Sequence, residues 1–298
     1  MLFLLELLPA LCLGLLLGRR WPGLPARLAP PLVHWGVPFS VMGLLLRGGL
    51  NWRFGQVALL ALLAVAAGLL LVSFWLRSPV ERLGAVVGNT AYFGIPAVLA
   101  LLPAEAVGYA ISYDLAATLF TWTLGPLLLA GQPLRLRPLL RALTSSPASR
   151  GLLAAALLQL TPWHGVLAAW LWWPARAVVL VSLMVVGMRL AWVAGRALSA
   201  RLWAVLLCKL LLFPLLVLGA AQLLALTPLA LPPLAQAALV LQAAAPTAVS
   251  VLLLSELSPA QDPAAAEPAV AAALLLWCTL LGLLTVPLWA KLLAPLAS

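Results

Sequence analysis

The sequence predicts an all-α integral membrane protein of ten transmembrane helices, built as two inverted five-helix repeats with broken crossover helices 4 and 9. Three observations predict it. The chain has 298 residues, of which 65% are hydrophobic and 8% charged, with a mean hydropathy of +1.15; soluble domains do not show that balance. Apolar runs of bilayer-spanning length recur from end to end. Two apolar segments in corresponding places of the two halves are each interrupted by an amide, hydroxyls and a proline.

In order, span 1 covers about residues 2–18 and closes on Arg19 and Arg20. It is read as a retained span rather than a signal peptide, because its charges follow the apolar run. Span 2 is about 29–46, interrupted by Pro38; span 3 is about 54–76; span 4 is the first broken segment, about 81–102; span 5 is about 105–130. A linker loop, 132–149, separates the first repeat, 1–131, from the second, 150–298. Span 6 is short, about 150–161, followed by span 7 at about 165–188, span 8 at about 201–224, span 9 at about 232–256 and span 10 at about 267–294. Between Thr161 and Pro174 a cluster of Trp163, Trp170, Trp172 and Trp173 predicts an interface-lying stretch. A nine-span chain results if spans 6 and 7 merge.

The arginines orient this scheme. Twelve fall in loops 1, 3, 5 and 7, whereas loops 2, 4, 6 and 8 hold Arg47 and Arg53. By the positive-inside rule the odd loops are cytoplasmic and both termini lie outside, in a multi-pass protein of the cell (inner) membrane. The net charge of +10 is thereby explained by topology and calls for no nucleic acid. Loop 9, with Asp262 and Glu267, casts no vote, and Arg176 is placed at the outer interface.

Span 4 contains Gly88-Asn89-Thr90-Ala91-Tyr92-Phe93-Gly94-Ile95-Pro96. Pro96 has no N–H and its ring clashes with the preceding turn, and an opened backbone at bilayer depth is tolerated only against protein or a water-filled cavity. The break is therefore expected at Pro96. Span 9 carries Gln242-Ala243-Ala244-Ala245-Pro246-Thr247 and Ser250, an amide ahead of a proline in the matching place. Such paired interruptions mark the binding site of carriers built from inverted repeats.

These residues resemble the auxin efflux carrier family, which includes the plant PIN carriers and bacterial relatives. Asn89-Thr90-x-x-x-Gly94-Ile95-Pro96 is similar to that family's first crossover, and Ala244-Ala245-Pro246-Thr247-Ala248 with Ser255-Glu256 to the second. Leu13-Gly14 ahead of Arg19-Arg20, Pro38, and Lys209 with Pro214 also fit. The resemblance implies a scaffold of spans 1, 2, 6 and 7, a transport domain of spans 3–5 and 8–10, export of organic acids by alternating access, and a homodimer. It also implies that Asn89 and the half-helix ends near Pro96 and Pro246 meet the substrate. The chain departs from the plant carriers in having no acidic residue in span 3 and only a short central loop.

The substrate site is thus assigned to Asn89, Thr90, Gly94, Pro96, Gln242, Pro246 and Thr247. A half-helix N-terminus offers free N–H groups and partial positive charge to a carboxylate, and Asn89, Gln242 and Thr247 add donors and acceptors. Asn89 is alternatively a cap that holds the break in shape. No acidic residue lies in either crossover core, so the runner-up, a sodium-coupled carrier of the bile-acid symporter type, lacks its side-chain cation ligands. Asp114 in span 5 and Lys209 in span 8 each lie about eight residues, roughly 12 Å, from a span end, and are read as an ion pair or a proton pathway, or Lys209 as snorkelling to the inner surface. His34 reads as a packed or interfacial side chain. Cys12, Cys208 and Cys278 stand singly and read as packing residues. There is no GxSxG, HExxH or P-loop, hence no enzyme, metal or cofactor is expected, and the partners are a small organic anion and the lipid bilayer.

Overall fold

The computed structural model describes residues 2–48, 52–131, 135–193, 199–257 and 267–297. Asp262 and Arg196 lie outside the described residues, as do the side chains of Glu6, Arg47, Arg176, Arg189 and Glu267. Among the described residues the structure is helical, with no strand. Five stretches are long and apolar enough to cross a membrane: Leu24–Leu46, Arg53–Val72, His164–Ser182, Ala200–Ala225 and Pro268–Pro295. Large apolar side chains face outward along them, such as Leu70 at 68% and Leu284 at 67% exposure, as expected where the surrounding solvent is hydrocarbon. This is a membrane protein.

The helices are α1 (Leu2–Arg20), α2 (Leu24–Pro31), α3 (Val37–Gly48), α4 (Trp52–Val72), α5 (Pro79–Val86), α6 (Ile95–Leu101), α7 (Ala106–Leu129), α8 (Leu136–Ser145), α9 (Pro147–Gln159), α10 (His164–Val193), α11 (Ala200–Leu207), α12 (Phe213–Ala225), α13 (Pro233–Ala243), α14 (Val249–Leu257) and α15 (Glu267–Ala297). Three five-residue wide turns of the π type, Leu32–Gly36, Thr90–Gly94 and Cys208–Leu212, lead directly into α3, α6 and α12. Each precedes a proline by two residues: Pro38, Pro96 and Pro214. The reason is steric. Proline cannot donate to the carbonyl four residues back and its ring collides with it; one extra residue in the turn swings that carbonyl aside. The N–H groups of Val37, Ile95 and Phe213 accordingly bond five residues back, to Leu32, Thr90 and Cys208. The carbonyl that Pro214 strands, that of Leu210, accepts the Trp289 indole N–H at 2.9 Å. Pro38 therefore does not interrupt span 2, which runs on through its wide turn.

Two further expectations are corrected. The linker is not a loop: residues 136–145 form α8, with Leu136, Leu139, Leu140 and Leu143 at helical spacing and Arg137 and Arg141 on the remainder. None of its residues is buried. The segment from Thr161 to Pro174 is not a separate element: Leu160–Trp163 is a turn, and α10 continues through Pro174. Trp170 and Trp173 are exposed on that continuous helix. The turn also separates α9 from α10, so spans 6 and 7 are distinct helices.

The chain forms two compact units. The first comprises Met1–Gly49, Thr118–Ala197 and Val249–Ala273; the second comprises Leu50–Ala117, Leu198–Ala248 and Leu274–Ser298. Within the first, α1 packs along α10 and α3 packs on α9 and α10. At three glycines these helices meet backbone to backbone. A Cβ at Gly14 would collide with the carbonyl of Met184, one at Gly18 with that of Met188, and one at Gly151 would lie 2.7 Å from Pro38 O. Lipid provides no hydrophobic drive between helices, so close approach over small residues takes its place. The Gly14-x-x-x-Gly18 spacing is the sequence signal for it, one that the reading from periodicity alone passes over.

Within the second unit, α5 packs against α4 and α11, and α12 against α13 and α4. Leu206, Leu210 and Cys278 form an apolar cluster backed by Trp277 and Leu281. Val80, Leu83, Ala85 and Val86 bury α5 almost completely, and its start is fixed by Pro79 in the first turn and by the Ser78 hydroxyl, which accepts from Glu81 N–H.

Candidate functional site

The site lies in the second unit, where the two broken helices meet. α5 ends at Val86, residues 87–89 are non-helical, with Val87 extended, and the wide turn starts at Thr90. α13 ends at Ala243, and residues 244–248 are non-helical. The two gaps run antiparallel and pair. Asn89 N–H donates to Pro246 O at 2.6 Å, Ala248 N–H to Val87 O at 3.1 Å, and Gly88 faces Thr247. Backbone groups opened by the two breaks are thus satisfied by each other, as an apolar surrounding requires. The first break is therefore not at Pro96. That residue sits in the first turn of α6, where its missing N–H costs nothing, and the opening comes at Gly88-Asn89. Pro246 does lie inside its own gap.

Two ionisable side chains are spent on the cut ends. Lys209 is fully buried in its wide turn. Its Nζ donates to Ala243 O at 2.7 Å and to Val86 O at 3.3 Å, and stands 4.9 Å over the Phe213 ring. Those carbonyls close α13 and α5, the negative ends of two helix dipoles. Asp114 takes the opposite end: its carboxyl accepts the Thr90 hydroxyl at 2.5 Å and the Ala91 backbone N–H, capping the wide turn's N-terminus. Asp114 and Lys209 do not pair with each other, and Lys209 does not snorkel. Each has a nearer partner that sequence distance cannot reveal.

The remaining expected site residues divide sharply. Thr247 is buried; its hydroxyl donates to Gly84 O at 2.8 Å and its N–H to Cys278 Sγ at 3.3 Å. It staples the second gap to α5, and Cys278 thereby has a polar role as well as a packing one. Gln242 is wholly buried and does not face a cavity: Nε2 donates to Ala110 O at 3.1 Å, while Oε1 lies in the space a Cβ on Gly94 would need and accepts no hydrogen bond. Gly94 is a glycine for that reason. Thr90 is buried on Asp114. Asn89 is different: it is half-exposed, and its side chain makes no capping hydrogen bond. Among the described residues no group of three His, Cys, Asp or Glu side chains could hold a metal.

The arrangement offers a rigid backbone crossing, charge-compensated from within, with one amide side chain beside it that the crossing does not use. No family model matches the chain, and no curated protein matches it.

Proposed function

We propose that the chain is a secondary transporter or uniporter that exports small organic anions, carboxylates of auxin-like or dicarboxylic type, across the cell membrane by alternating access. What carries the reading is the pairing of the two gaps through Asn89 N–H to Pro246 O and Ala248 N–H to Val87 O. Carriers built from inverted repeats bind substrate at such paired breaks. In this reading ten spans form inverted repeats, a scaffold of spans 1, 2, 6 and 7 serves a transport domain of spans 3–5 and 8–10, and the carrier is a homodimer, as the auxin efflux resemblance implies. The division of the chain into two compact units, one holding all of spans 3, 4 and 8 and most of spans 9 and 10, with span 5 divided at Ala117, supports it. Asn89 is the residue assigned to the anion.

Transport by purified protein in liposomes, assayed over a panel of organic anions with and without sodium and proton gradients, tests the proposal. Asn89→Ala should weaken the transported anion's binding by roughly one to two orders of magnitude, the loss of one hydrogen bond to a charged group at about 1.5–3 kcal/mol. Thermal stability without ligand should be unchanged, since the side chain caps nothing. Unaltered affinity sinks the assignment, and uptake that requires sodium favours the bile-acid symporter type instead.

Orientation is part of the proposal. With both termini outside, a cysteine placed on α8 should react with a membrane-impermeant reagent only after cells are permeabilised. Labelling in intact cells reverses the topology.

A further inference from the structure

Lys209 does a job that elsewhere in chemistry is done by a metal ion. Its ammonium is fully buried and is held by two main-chain carbonyls, Ala243 O at 2.7 Å and Val86 O at 3.3 Å, with the face of Phe213 on a third side at 4.9 Å. Among the described residues no acidic side chain is within ion-pair distance of it; the Asp114 carboxyl is held by Thr90 and Ala91. What attracts the positive charge is therefore the main chain, at the C-terminal ends of α5 and α13. Two such ends brought together concentrate partial negative charge, and carbonyls of unwound helices are the ligands from which carriers build sodium sites.

The surroundings are shaped to the ammonium. A Cβ on Gly88 would stand 3.1 Å from Nζ and 3.2 Å from Ala245 O, so a side chain there would crowd the charge. The wide turn Cys208–Leu212 belongs to the same device, because Lys209 enters from its first turn.

We propose that these carbonyl ends form a monovalent-cation site whose permanent occupant is the chain's own Lys209 ammonium, so that the crossing is held together without an ion from solution. The site stands on the second unit alone and does not depend on what the protein carries. Its consequence is specific: emptying the site should convert a sodium-indifferent protein into one whose fold calls for a small alkali cation.

The experiment compares wild type, Lys209→Ala, Lys209→Asn and Lys209→Met in detergent. Thermal unfolding is followed in lithium, sodium, potassium and choline chloride at fixed ionic strength. Wild type should show no saturable response to replacing choline by sodium. Lys209→Ala and Lys209→Asn should be less stable in choline and should regain about 3–6 °C at saturating concentrations of the best-fitting alkali ion, by ordinary binding linkage. Lys209→Met fills the space without charge; it should be destabilised and should gain nothing from any ion. A wild type that is saturably stabilised by sodium to the same extent as Lys209→Ala overturns the proposal. So does a methionine variant that responds like the alanine one, which is a general salt effect. Failure of both shortened variants to respond to, or be recovered in, any alkali salt overturns it as well, because the ion is expected to take the ammonium's place.

Discussion

Leucine at Gly14 and Gly18 together should abolish recovery of the folded protein. These glycines meet α10 backbone to backbone, and even a methyl group at either would collide with the carbonyl of Met184 or Met188. A colliding side chain tip can rotate away; a helix backbone cannot. The two helices would have to part along the largest contact of the first unit, at roughly 1–3 kcal/mol for each overpacked position in addition to the dispersion lost along the seam. Gly14→Ala and Gly18→Ala should fall between wild type and the leucine pair. The check is the yield of monodisperse protein and its unfolding temperature in detergent. A double leucine variant as stable as wild type means that α1 does not lie against α10.

Asp114→Ala should be the most damaging single polar change in the second unit. It removes the carboxyl that accepts from the Ala91 N–H and the Thr90 hydroxyl, leaving the hydroxyl only its longer bond to Gly88 O at 3.4 Å, at a site that is 2% exposed. Hydrogen bonds to a charged group contribute about 1.5–3 kcal/mol each, so the two lost here amount to about 3–6 kcal/mol. Asp114→Asn keeps one carbonyl acceptor, and the Thr90 hydroxyl can turn to accept from the amide, so it should retain most of the stability. Exchanging the charges, Asp114→Lys with Lys209→Asp, should be worse than either single change. An acid would then face carbonyls and a base would face N–H groups, each at the wrong end of a helix dipole. Rescue by the exchange would show that the two side chains touch after all.

How much of this was legible in the sequence depended on whether the signal was local. The long apolar segments announce their helices, since hydrocarbon leaves an isolated stretch no other way to satisfy its backbone. The two interruptions were legible as well, from the glycines, amides and prolines they contain. Their placement was not. Proline is conspicuous and looks like the breaker, but Pro96 falls in the first turn of α6, where it starts a helix more readily than it stops one; the opening belongs to Gly88-Asn89 upstream. Long-range partnership was the other loss. Asp114 and Lys209, two charges at similar depth, invite pairing on paper. Only the folded chain reveals that carbonyls from residues 86 and 243 converge on one of them and Thr90 and Ala91 on the other. Gln242 and Asn89 looked equivalent as amides; burial separates them, because Gln242 is enclosed over Gly94 and Asn89 is not. The Leu136, Leu139, Leu140, Leu143 pattern of α8 was present to be read, but was masked by the prolines and arginines that surround it.

The three wide turns also set the phase of the helices that follow them. One extra residue in the hydrogen-bond ladder delays everything downstream by roughly 100° of rotation. Past the Cys208–Leu212 turn the buried side chains are Phe213, Pro214, Val217 and Ala221, a face reached only by counting from the turn. Insertions and deletions ahead of Pro38, Pro96 or Pro214 are therefore changes of rotation as much as of length. A variant lacking one residue there, with the proline shifted to match, could keep a continuous helix but would show the bilayer what this chain keeps inside.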